Sequence, residues 1–104
     1  MKRLQYALQP ETGADPLFKR AGATNISAGG MELEVEEYAG QGSRVILQFI
    51  LPVYNSYRKL NVLSVVTRTV PPAPGVEKYL VGVEFVDIKK TDHDIIIRHI
   101  MGNV

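Results

Sequence analysis

Along most of the chain apolar residues recur at every second position, which is the period of a half-buried strand. Met31, Leu33 and Val35 alternate with Glu32, Glu34 and Glu36, predicting one buried face and one wet face. Val45, Leu47, Phe49 and Leu51 form a second alternating set. Ile46 and Ile50 make its other face apolar too, so this strand is expected to be covered on both sides and to lie centrally rather than at an edge. Tyr79, Val81, Val83 and Phe85 form a third set, opposite Leu80, Gly82 and Glu84. Residues 60–70 are rich in β-branched side chains, but their alternation falters around Leu63 and Ser64, which predicts a bend or bulge. Weaker strand candidates lie at residues 3–8 and 17–25.

Helical periodicity shows only at the C-terminal end. Thr91 is placed to cap a helix, with Asp92 and Asp94 near its positive end. His93, Ile96, Ile97, Ile100 and Met101 then recur at i, i+3, i+4, i+7 and i+8, an apolar stripe that would pack on a sheet, and Gly102 would stop it. Turn chemistry separates the elements: Pro10-Glu11-Thr12-Gly13, Tyr38-Ala39-Gly40-Gln41-Gly42, and Pro71-Pro72-Ala73-Pro74-Gly75, whose prolines forbid ladder pairing. Six short strands followed by one helix favour an all-β small barrel or sandwich closed by that helix.

Composition narrows the function classes. A chain of 104 residues and 11.5 kDa is one domain, residues 1–104. The net charge of +1 argues against coating nucleic acid by bulk charge. The absence of cysteine removes disulfides, thiolate metal sites and a cysteine nucleophile. No apolar stretch approaches the roughly 18 residues of a membrane span, and the N-terminus lacks a signal-peptide core, so a soluble, cytoplasmic protein without membrane insertion is expected.

Catalysis has few footholds. His93 and His99 fall on different faces of one helix and cannot share a metal at i, i+4 spacing. Ser27 is not set in a nucleophile elbow. Glu32, Glu34 and Glu36 read as the solvated face of one strand rather than as ligands converging on an ion. Neither a catalytic residue nor a metal site is expected, and an enzyme is not.

Residues 23–31 are more informative. A strand runs into Asn25, a polar triplet follows, Gly29 and Gly30 break it, and an alternating strand restarts at Met31. One reading is a Gly-Gly turn in which Asn25 and Ser27 bond to their own backbone. The other is a ligand site. Two residues apart in extended chain, the Asn25 amide and Ser27 hydroxyl share a face and offer paired donor and acceptor atoms to a base edge. Gly30, without a side chain, would admit a flat ring close to the backbone.

At this point the sequence resembles the PilZ domain, the bacterial receptor module for cyclic di-GMP. The family's short motif, Asp or Asn, any residue, Ser, any two residues, Gly, appears as Asn25-Ile26-Ser27-Ala28-Gly29-Gly30, with an extra glycine before the last. The restart Gly-Gly-Met-Glu-Leu, the strand end Leu47-Gln48-Phe49-Ile50-Leu51-Pro52, the strand Tyr79-Leu80-Val81-Gly82-Val83-Glu84-Phe85 and the Ile-rich terminal helix extend the likeness over residues 3–101. The resemblance implies a six-stranded antiparallel β-barrel with a C-terminal α-helix. It also implies a noncatalytic effector that binds cyclic di-GMP, needs no cofactor or metal, and relays the messenger level to motility, polysaccharide or biofilm targets through a regulatory protein partner. The residues it assigns to the ligand are Arg3, Asn25, Ser27, Gly29 and Gly30.

The family also carries two arginines four positions apart, upstream in a segment that wraps the ligand. Arg3 can stand for the second, with Lys2 as a weaker neighbour, but its partner would precede residue 1 and position 7 is Ala7. Either the chain is a receptor with an incomplete arginine clamp or a start further upstream, or it is a divergent protein-interaction adaptor that no longer binds nucleotide. The kept Asn-x-Ser-x-x-Gly triplet favours the receptor. Whether Arg20, Arg44 or Arg68 supplies the absent cation is left open by the sequence. The adaptor reading would use Val53, Tyr54 and Tyr57 of an expected loop at residues 52–59. DNA and RNA are not expected as partners, because Tyr38, Tyr54 and Tyr57 fall in or beside loops instead of forming strand platforms.

Overall fold

The computed structural model describes residues 4–10, 13–37, 39–53 and 55–100. Lys2, Arg3, Glu11, Thr12, Tyr38, Tyr54, Met101 and Gly102, together with the Val53 side chain, lie outside the described residues. Among the described residues six strands precede one helix: β1 (Leu4–Leu8), β2 (Lys19–Ile26), β3 (Gly30–Val35), β4 (Arg44–Val53), β5 (Ser56–Val70), β6 (Tyr79–Asp87) and α1 (Lys90–Ile100). Their pairings are antiparallel, and the order β1-β2-β3-β6-β5-β4 closes on itself through β1 and β4. Closure gives each of these strands two neighbours, so β4 is no edge strand, while Ile46 and Ile50 on its outer face stay partly exposed.

The inward positions make one core. Leu33, Leu47, Phe49, Leu51, Leu60, Val62, Val66 and Val81 are almost fully shielded from solvent. Ile95 and Ile96 join them from α1, which packs against β4. The expected loop at residues 52–59 is instead a tight β4–β5 hairpin in which Pro52 pairs with Tyr57 and Val53 with Ser56. The Gly42 and Gly75 turns both need a glycine, with φ of 89° and 84°.

The helix departs from expectation by one residue of rotation. Its buried positions are Asp92, Ile95 and Ile96, whereas Ile100 is 44% exposed. The helix starts at Lys90, so Thr91 lies within its first turn, and the His93 amide already donates to the Lys89 carbonyl. Asp92 is not simply a solvated dipole partner: it is buried and ion-paired with Arg58, 3.3 Å away. His93 and His99 are both half-buried, and the buried His99 Nδ1 has no hydrogen-bond partner among the described residues.

Three register shifts interrupt the described ladders. One falls between Leu63 and Ser64, where the sequence falters, but the extra residue there is Val86 on β6. Strand β5 itself keeps alternating, with Leu60, Val62, Ser64 and Val66 all inward. Its apparent break comes from a hydroxyl in an inward position beside a leucine facing outward. The other two shifts insert Thr24 into β2 and Thr67 into β5. Both lie at the candidate site.

Candidate functional site

Strand β2 ends at Ile26 and the chain turns at once into β3. The Ser27 amide donates to the Gly30 carbonyl at 2.9 Å, and the Ser27 hydroxyl donates to the same oxygen at 3.2 Å. The Gly29 carbonyl accepts from the Phe85 amide at 2.8 Å, which ties the turn to β6. The self-bonded turn and the ligand site are therefore not exclusive alternatives. The hydroxyl proton serves the turn, while the oxygen keeps acceptor capacity on an exposed residue.

The two glycines do different jobs. A Cβ on Gly30 would sit 2.1 Å from the Val83 carbonyl oxygen, so the approach of β6 by itself requires a glycine here. A Cβ on Gly29 would meet nothing within 4 Å. Open backbone facing solvent is thus at Gly29.

The inserted Thr24 changes what faces outward. Ala23 pairs with Leu33 and Asn25 with Glu32, so Thr24 and Asn25 are exposed in succession. A second bulge does the same on β5. Val66 pairs with Val83 and Arg68 with Gly82, leaving Thr67 as the extra residue. Without it Arg68 would continue the inward series Leu60, Val62, Ser64, Val66. With it the guanidinium is carried to the outer face.

Register then sets a row across four strands: Asn25 opposite Glu32, Glu32 opposite Gly82, Gly82 opposite Arg68. Gly82 leaves a saddle between Glu32 and Arg68. A Cβ there would lie 3.6 Å from the Arg68 Cβ and 3.7 Å from its Nε, so the arginine arm runs over the glycine. Arg68 Nη2 thereby reaches Glu32 Oε2, and the Thr24 hydroxyl donates to Glu32 Oε1 at 2.7 Å. Glu32 is not the freely solvated carboxylate its alternation suggests; both its oxygens are engaged.

These side chains line one open hollow of about 490 Å³, walled by Asn25, Ser27, Gly29, Glu32, Thr67 and Arg68, among others. Four of the five residues assigned from sequence (Asn25, Ser27, Gly29 and Gly30) therefore come together, and Arg3 lies outside the described residues. Of the three arginines left open, only Arg68 joins them. Arg20 lines a separate hollow with Gln5, Gln48 and Lys59, and Arg44 is exposed at the start of β4. Thr24, Glu32, Thr67 and Gly82 were not singled out by sequence as site residues, and Arg68 was not separated there from Arg20 and Arg44. The available signal was an arginine at a position that strict alternation sends into an apolar barrel, which only a bulge relieves. Among the described residues no group of His, Asp and Glu is gathered to hold a metal ion, and no helix is long and apolar enough to cross a membrane.

The PilZ domain family model matches residues 5–102. No curated protein matches the chain. Among solved structures it is similar to that of the Bacillus subtilis inhibitor of motility (MotI/DgrA), at a TM-score of 0.76 and 24% sequence identity. That likeness covers 97% of this chain and 46% of the other, so the chain spans about half of that protein's length.

Proposed function

The chain belongs to the PilZ domain family, and on that premise we propose that it is a noncatalytic receptor module for cyclic di-GMP that signals through a protein partner. The observation that carries this reading is the convergence of Asn25, Ser27 and the open Gly29 backbone on one hollow with a guanidinium on its far wall. The ligand's chemistry matches each feature. The Asn25 amide offers donor and acceptor atoms to a guanine edge, and the Ser27 oxygen accepts from a ring N–H or amino group. Gly29 lets the ring plane approach. Arginine meets phosphate bidentately.

Arg3 directly precedes Leu4, which pairs with Ala21 on the strand that ends at the motif. In this proposal it contributes the second cation, and its engagement with the ligand changes the surface a partner reads. Motility, polysaccharide and biofilm systems are the outputs to test, motility first, because the structural neighbour is named an inhibitor of motility.

Calorimetric titration with cyclic di-GMP tests the reading. Saturable binding is expected, and Asn25→Ala weakens it by about fivefold or more, since a paired neutral contact to a base edge is worth about 1–3 kcal/mol. No heat at high micromolar ligand sinks the proposal, and unchanged affinity in Asn25→Ala moves the site elsewhere. The adaptor reading keeps one supporting observation, Tyr57, 78% exposed at the β4–β5 hairpin. It requires partner capture that is identical with and without nucleotide and that is lost in Tyr57→Ser.

A further inference from the structure

We propose that Arg68 is a ligand-contacting cation of this site and that Glu32 is its latch, holding the guanidinium against the barrel until a phosphate displaces the carboxylate. This rests on the receptor reading above and adds to it a residue from β5 that lies far in sequence from the Asn25–Gly30 motif.

Three independent features place Arg68 here. The Thr67 insertion turns it outward, the bare Gly82 lets its arm cross β6, and its guanidinium stands on the wall of the same hollow as Asn25 and Ser27. The latch is equally specific. Glu32 lies opposite both Asn25 and Gly82 in register, and Thr24, the other inserted residue, fixes its second oxygen. The two bulges thus serve one device: one delivers the cation, the other the hydroxyl that orients its counter-charge.

Relative exposures decide that this pair can open. The side chains of Arg68 and Glu32 are 61% and 29% exposed. An ion pair so wetted shifts an equilibrium constant by at most about fivefold. An arginine fork on phosphate is stronger, because both partners are charged and two parallel bonds form. A phosphodiester can therefore take Arg68 from Glu32, and breaking that ion pair is subtracted from the gain on binding. Affinity is held below what the cation alone would give, and the Glu32 charge is the quantity that sets how far below.

Calorimetry with cyclic di-GMP on the full chain, on Glu32→Gln, on Arg68→Ala and on the double variant tests the device. Glu32→Gln keeps an acceptor for Thr24 but loses the charge. It is expected to tighten binding roughly twofold to fivefold, with the gain shrinking as salt rises. Arg68→Ala is expected to weaken binding about tenfold or more. In the double variant the Glu32→Gln gain should vanish, since there is no guanidinium left to release. Circular dichroism melts of each variant report retained fold. Wild-type binding with both single variants unchanged overturns the latch and leaves the receptor reading standing. A Glu32→Gln gain that persists without Arg68 overturns the latch as well, since the carboxylate then repels ligand directly. Absence of binding in the wild type overturns both.

Discussion

Gly29 and Gly30 are neighbours with opposite reasons to be glycine. Neither has a positive φ, so backbone strain is not the issue. Gly30 is buried against β6, and a methyl group would collide with the Val83 carbonyl, a backbone atom that cannot swing away. Gly30→Ala is therefore expected to lower stability by about 1–3 kcal/mol or more, because overpacking must be relieved by moving a ladder strand. Gly29→Ala has free space and should stay within about 0.5 kcal/mol of the parent in denaturant unfolding. Equal losses at both positions would refute the division. At this scale the sequence shows that glycines are present but not what each is for, since the demand on Gly30 comes from Val83, a distant residue. Arg68 was obscure for a related reason: its direction depends on a one-residue insertion that hydrophobic counting does not register.

At the scale of elements, the strands were legible because their burial is two-sided and periodic, and the β3, β4 and β6 alternations correspond to inward faces of the barrel. The helix was legible as a helix but not in its rotation. Ile95, Ile96 and Ile97 run consecutively, so apolar stripes through His93, Ile96 and Ile97 or through Asp92, Ile95 and Ile96 are nearly equal on hydrophobicity alone. The second is adopted, and it turns Asp92 toward Arg58 at the start of β5, a partner that helical periodicity cannot reveal. Ile96 becomes fully buried and Ile100 stays at the surface. Ile96→Ala should cost about 2–5 kcal/mol, the usual range for emptying a core position. Ile100→Ala should fall within about 0.5 kcal/mol of the parent. Urea unfolding distinguishes the two faces, and a larger loss at Ile100 would restore the stripe first read from sequence.

For the molecule as a whole, alternation alone allowed a barrel or a sandwich, since both present one apolar face per strand; the resemblance, not the period, pointed to closure. Closure rests on β1, which joins β4 on one side and β2 on the other through the registers Tyr6 with Leu47 and Tyr6 with Lys19. This seam carries an alkaline liability. Burial, reinforced by the Glu37 charge, raises the Tyr6 phenol above its ordinary value of 10.0. A hydrogen bond to Glu37 raises the exposed Lys19 ammonium above its ordinary 10.5. Both groups keep their protons in the fold where the unfolded chain would already release them. Stability is thus fully present below about pH 10 and declines as pH rises through the raised folded values, because the unfolded state then binds fewer protons. Melting temperatures taken from pH 8 to 11 should fall above about pH 10. Tyr6→Phe removes the buried titration while keeping the ring and should flatten the fall, and Glu37→Gln should flatten it in part, by weakening the hold on the Lys19 proton and removing the lesser, charge-based contribution at Tyr6. A flat alkaline profile in the parent, or a fall undiminished in both variants, would show that the barrel's closing seam does not set its response to base.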